Sequence, residues 1–173
     1  SKFEEWGLGP LGGKEGHLQT YPSHYTIVDE AEMTVILRRG GEQAGGAAGE
    51  MKLKAGSDYL PLLFSASGDA TGEIVFAGWG ISAPALGYDD YEGVDVSGRF
   101  VLCFRGTPDR ENEAFEEYDQ HRHRMRTAKE KGALGLVYIY DKVNAHPNGD
   151  WIDGFCPAMI SEAVADSLLA EKG

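Results

Sequence analysis

GEIVFAGWGISAPALGYDDYEGVDVSGRFVLCFRGTP, residues 72–108, decides the fold. Two continuous apolar runs, GEIVFAG (72–78) and RFVLCFRG (99–106), read as strands with no polar face. Between them lies WGISAPALGYDDYEGVDVSG (79–98), punctuated by Gly80, Pro84, Gly87, Gly93 and Gly98. Glycine admits a positive φ, proline stiffens the path, and Asp89, Asp90 and Asp95 can accept from neighbouring backbone N–H groups. A loop this long inside a compact domain is either a working surface or a structural crossover.

Downstream, Asn112–Lys131 reads as the one long helix, acidic at its start and basic at its end, which complements the helix dipole. Phe115, Tyr118, Met125 and Ala128 form its apolar stripe, and Gly132 ends it. GLVYIY (135–140) is a third buried strand, residues 142–154 a polar loop and PAMI (157–160) a short strand. Ser161 caps a final helix running to about Lys172, with Val164, Leu168 and Leu169 as its buried face. Upstream, His17–Val28 and Met33–Arg38 read as half-buried strands, GGEQAGGAAG (40–49) as a hairpin tip, and Met51–Leu53 and Leu60–Phe64 as further strands. Phe3–Leu8 reads as the last turn of a helix, with Gly7 as the left-handed residue that closes it. This order suits an α+β domain whose helices cover a mostly β core.

Composition narrows the partners. The 173 residues carry 16 Lys+Arg against 28 Asp+Glu, a net charge of −12. Nucleic-acid affinity comes from neutralising phosphates, so nucleic acid is set aside, as is a polybasic membrane patch. No apolar run approaches the roughly 20 residues of a membrane span. The 24 glycines are about twice ordinary usage and favour turns over a helical bundle. Cys103 and Cys156 are too few for a disulfide framework or a cysteine-rich zinc site; Cys103 reads as a buried small hydrophobe, and pairing with Cys156 stays open. Ser1 opens the chain without an initiating Met, in what reads as mid-helix, so a piece of a larger protein is expected.

The residues Gly78, Trp79, Gly80, Ile81, Ala83 and Pro84, then Tyr88–Tyr91, then Gly93, Asp95, Val96, Gly98 and Arg99, resemble the protease-associated (PA) domain inserted into two-zinc aminopeptidases related to glutamate carboxypeptidase. AKEKGALGLVYIY (128–140), PAMISEAVADSLL (157–169) and the opening FEEWGLGPLGG (3–13) are also similar to that family. The resemblance implies a β-rich PA-type (swivelling β/β/α) domain, with two helices packed on a barrel-like or sandwiched sheet. It implies that residues 1–16 are the end of a peptidase-domain helix with its linker, and that 17–173 are the PA domain, whether complete or cut short at its end staying open. The expected partners are the chain's own peptidase domain and a peptide substrate, with two zinc ions held in the parent's catalytic domain and none here. A secreted or cell-envelope location follows from the resemblance alone.

No catalytic or metal site is expected in this stretch. The family's first zinc ligands lie in a His–x–Asp motif, and in SHYTIVDE (23–30) the position two after His24 is Thr26. His121 and His123 stand about 200° apart on a helix and cannot share an ion; QHRHRMR reads as a solvated charged face, and His146 as an exposed loop residue. Ser82 in GISAP lacks the glycine of a nucleophile elbow. Asp89, Asp90, Glu92 and Asp95 lack calcium-loop spacing. The expected substrate or partner surface is the loop, with Trp79, Tyr88, Asp89, Asp90 and Tyr91 as its contact groups. The alternative is a stand-alone protein- or glycan-binding module in which Trp79, Tyr88, Tyr91 and Trp151 form a stacking platform. A third reading is a PA insertion from a subtilisin-type protease, or from a receptor that has lost catalysis.

Overall fold

The computed structural model describes residues 2–8, 28–38, 47–143 and 151–170. The expected His17–Val28 strand lies almost wholly outside these residues, as do positions 40–46 of the expected hairpin tip, His24 and His146; positions 47–49 of that tip are strand instead. A short helix α1 (Lys2–Glu5) ends with Gly7 at a φ of 70°, as the opening sequence suggests. β1 (Met33–Arg38) and β2 (Ala47–Leu53) form an antiparallel hairpin with a bulge between Leu37 and Arg38.

The centre is a five-stranded sheet built from β3 (Tyr59–Pro61), β4 (Ile74–Phe76), β7 (Phe100–Phe104), β8 (Gly135–Tyr140) and β9 (Ala158–Ser161), in the order β3-β9-β8-β7-β4. β4, β7, β8 and β9 run parallel, and only β3 is antiparallel. Pro61 sits on the β3 edge, where a missing N–H costs the sheet nothing. Two edges remain, so the sheet is open and not a barrel.

Alternation along the strands sorts two cores. Val101 and Cys103 of β7, Leu136, Tyr138 and Tyr140 of β8, and Met159 of β9 face helix α2 (His121–Glu130), which contributes Met125 and Ala128. Leu102, Val137, Ile139 and Ile160 face the other way. There they meet Val35 and Leu53 of the hairpin and Val164 and Ala165 of helix α3 (Glu162–Ala170). The fold class is therefore α+β, with the hairpin and α3 on one face and α2 on the other. The Ser161 hydroxyl accepts from Val164 N at 3.3 Å and caps α3. Gly135 is required where β8 passes Cys156, because a Cβ there would overlap the Cys156 carbonyl.

Three expectations change. The helix expected over Asn112–Lys131 is two pieces. A 3-10 turn at Glu113–Phe115, capped by the Asn112 side chain, is followed by turns, and α2 starts only at His121. Gln120 is extended (φ −68°, ψ 131°), and Phe115 has left the helix stripe to join Ile81 and Ala83 in a separate cluster. The Leu60–Phe64 strand is shorter, because the chain turns at Leu62, whose carbonyl accepts from Ser65 N. Of the buried face expected for α3, which reaches the last described residue, Ala170, Leu168 and Leu169 are only partly buried.

Candidate functional site

The loop between β4 and β7 is held from inside by one carboxylate. Asp90 Oδ2 accepts from the backbone N–H of Trp79 and of Ile81, each at 3.0 Å, and Oδ1 accepts from the Tyr88 hydroxyl at 2.5 Å. Gly78 turns the chain at a φ of 44°, and a Cβ there would overlap that carboxylate. A two-residue ribbon, β5 (Ser82–Ala83) with β6 (Tyr88–Asp89), closes the turn. Pro84–Leu86 form its 3-10 tip, with Gly87 left-handed after it.

Beneath this ribbon, Ile81, Ala83 and Phe115 make a small core of their own, and Tyr88 meets Phe115 edge-on at 5.5 Å. Burial, with the Asp90 carboxylate beside it, pushes the Tyr88 phenol above its ordinary range.

The five expected contact residues separate. Trp79 is half-buried and meets Phe104 at 5.9 Å; Phe104 in turn meets Phe76 edge-on at 5.2 Å. Phe104 is exposed at 39%, so the row Phe76–Phe104–Trp79, where β4 and β7 end, has one outward ring. Tyr91 does not belong to the surface. It is 5% exposed and its hydroxyl donates to Gly80 O at 3.3 Å, because the loop folds over it onto the main core. Burial is the main cause holding its phenol well above the ordinary range, with Cys103 and Asp90 adding to it.

Asp89 accepts from Tyr91 N at 3.0 Å and faces Lys131 Nζ at 3.7 Å; Lys131 also lies 5.0 Å over the Tyr91 ring. Asp90 is the brace, and Tyr88 is bound to it. A stacking platform of Trp79, Tyr88, Tyr91 and Trp151 therefore lacks Tyr91. Phe76 and Phe104 carry the same aromatic signal in the sequence, but both fall inside runs that read as buried strand.

The acidic groups do not converge. Asp95 accepts from Ser97 N at 3.0 Å and from Arg99 Nη1 at 2.7 Å, and these bonds hold its carboxyl below the usual range. Among the described residues no group of three or more His, Cys, Asp or Glu stands in reach of one metal ion.

QHRHRMR is only in part the solvated face expected: Arg122, His123 and Arg126 are exposed, but Arg124 is not. Arg124 is 2% exposed, its Nη2 donating to Gly106 O and to Asp119 Oδ1, the latter at 2.6 Å. The i, i+3 spacing of His121 and Arg124 was the available signal, since it places both on one helix face beside Met125 and Ala128. His121 packs against Tyr138 at 4.9 Å, whereas His123 meets Tyr118 at 5.4 Å on another side. Cys103 and Cys156 are both free thiols, and burial pushes Cys103 up to about 12.

A family model described as "PA domain" matches residues 70–168. Among solved structures, an aminopeptidase from Aneurinibacillus sp. strain AM-1 is similar at 21% identity and a TM-score of 0.48, over 70% of this chain and 25% of that one. The chain thus spans about a quarter of that protein's length. No curated protein matches. No described helix is long and apolar enough to cross a membrane.

Proposed function

Because the chain belongs to the PA domain family, we propose that it is the access-shaping module of a larger zinc-dependent aminopeptidase, whose catalytic domain lies outside these residues. Residues 1–16 join it to that domain, and the two zinc ions belong to the catalytic domain. The location is secreted or cell-envelope. Its partners are its own peptidase domain and the peptide that enters the cleft between them.

The observation that carries this reading is the loop at residues 78–91. One internal carboxylate locks it, and it presents Trp79 beside the exposed ring of Phe104. A stiff loop with an amphipathic aromatic where β4 and β7 end suits a wall that sorts chains by shape, since little ordering entropy is lost when a ligand touches it. The aminopeptidase parent rests on the pattern of residues 72–108.

The test has two arms. The chain alone, with zinc, is expected to give no turnover of aminoacyl anilides; turnover would overturn the reading. In the parent protein, Trp79→Ala is expected to change KM for peptides while leaving kcat on a single-residue anilide unaltered. Equal effects on both substrates would show that the loop does not sort them.

A further inference from the structure

Helix α2 is docked on β8 by an unusual set of groups. Its sequence, HRHRMRTAKE, supplies only Met125 and Ala128 as buried apolar side chains, with the buried Arg124 beside them. β8 meets it with Tyr138 and Tyr140, 0% and 2% exposed. In this seam Arg124 Nε, His121 Nδ1 and the hydroxyls of Tyr138 and Tyr140 are buried with no hydrogen-bond partner. Buried orphan groups oppose docking, because in water each would be hydrogen-bonded. Beside the two apolar side chains, the helix is held by the Arg124 hook on Gly106 O and Asp119, by the His121 ring on Tyr138 and by a longer bond from Lys129 Nζ to Gly154 O at 3.5 Å.

The charges around His121 add a condition. Arg124 faces it from its own helix, Arg105 from the segment after β7 and Asp119 from the turn before α2; the Tyr138 ring faces it from β8 and Phe64 from the segment after β3. Asp119 is the one anion of this set, and Arg124 already holds it. A proton arriving on the docked imidazole would place a third cation beside two guanidiniums, in a seam whose orphan acceptors, the Tyr138 and Tyr140 hydroxyls, carry no charge.

We propose that α2 is an acid-sensitive latch, released from β8 as a unit when protonation of His121 adds its charge to those of Arg124 and Arg105. Burial first, then Arg124 and Arg105, holds the docked imidazole at about 4, against an ordinary value of 6.5. The folded value is depressed for a group that charges on protonation. The released state therefore takes up the proton first, and docking weakens as pH falls from 6.5 toward about 4. The full effect on the opening equilibrium is on the order of 10²-fold. An open cleft of about 400 Å³ has Gly106 and Asp119, the two anchors of the Arg124 hook, in its wall.

Amide hydrogen exchange on the full chain, corrected for intrinsic rates, tests this at about pH 7 and about pH 4.5. The α2 amides are expected to lose protection by well over tenfold at the lower pH, while β7 and β8 keep theirs. His121→Phe keeps a ring against Tyr138 and is expected to abolish that pH dependence. The double variant Tyr138→Phe, Tyr140→Phe removes two orphans and is expected to raise α2 protection at both pH values. A proton NMR titration of the His121 ring in the unaltered chain reads the same linkage without any variant. The proposal is overturned if the ring titrates near its ordinary value, if α2 exchanges only together with the sheet, or if the pH dependence survives in His121→Phe.

Discussion

Asp90 shows how much of a loop can rest on one side chain. It accepts from Trp79 N, Ile81 N and the Tyr88 hydroxyl, and its own N–H donates to Ile81 O at 2.9 Å. Asp90→Ala would leave two backbone donors without their acceptor and is expected to cost about 3 kcal/mol, read as a lowered urea midpoint. Asp90→Asn keeps one oxygen acceptor and should cost about half of that. The same change at Asp89, whose carboxylate serves one Asx-type bond and the longer Lys131 pair, should move the midpoint by about 1 kcal/mol or less. The two aspartates are neighbours in sequence, and only the β5–β6 register turns one in and the other toward Lys131.

At the scale of elements, the region 112–131 illustrates a limit of periodicity. Its charge gradient and apolar spacing fit one helix, yet two separate cores claim its side chains. Phe115 goes to Ile81 and Ala83, while Met125 and Ala128 go to the sheet. A straight helix cannot serve both, so it breaks at the extended Gln120. Asn112 accordingly caps the 3-10 turn alone. Asn112→Ala is expected to cost about 1 kcal/mol and to leave the exchange protection of α2 unchanged. Fraying that spread through His121–Glu130 would mean that the two pieces behave as one helix.

Across the whole molecule, the central strands are apolar on both faces because both are covered, by α2 on one side and by the hairpin with α3 on the other. Cys103 lies at the middle of this arrangement, 0% exposed, with its thiol pushed up to about 12 by burial. It is expected to react with a thiol reagent only through global unfolding, so its labelling rate should follow the unfolding equilibrium across a denaturant series. Cys156 is partly exposed and should react without that dependence. Labelling of Cys103 at a denaturant-independent rate would show that the sheet centre opens locally.

The strands at 74–76, 100–104 and 135–140, the cap at Ser161, the turn at Gly7 and the family pattern of 72–108 were legible in the chain, because apolar runs and punctuating residues act over a few positions. The parallel order β4-β7-β8-β9, the burial of Tyr91 and Arg124 and the break before His121 were not. Each depends on which surfaces meet across long sequence separations. A local pattern records that a residue is apolar, charged or turn-forming; it does not record which of two competing cores will cover it.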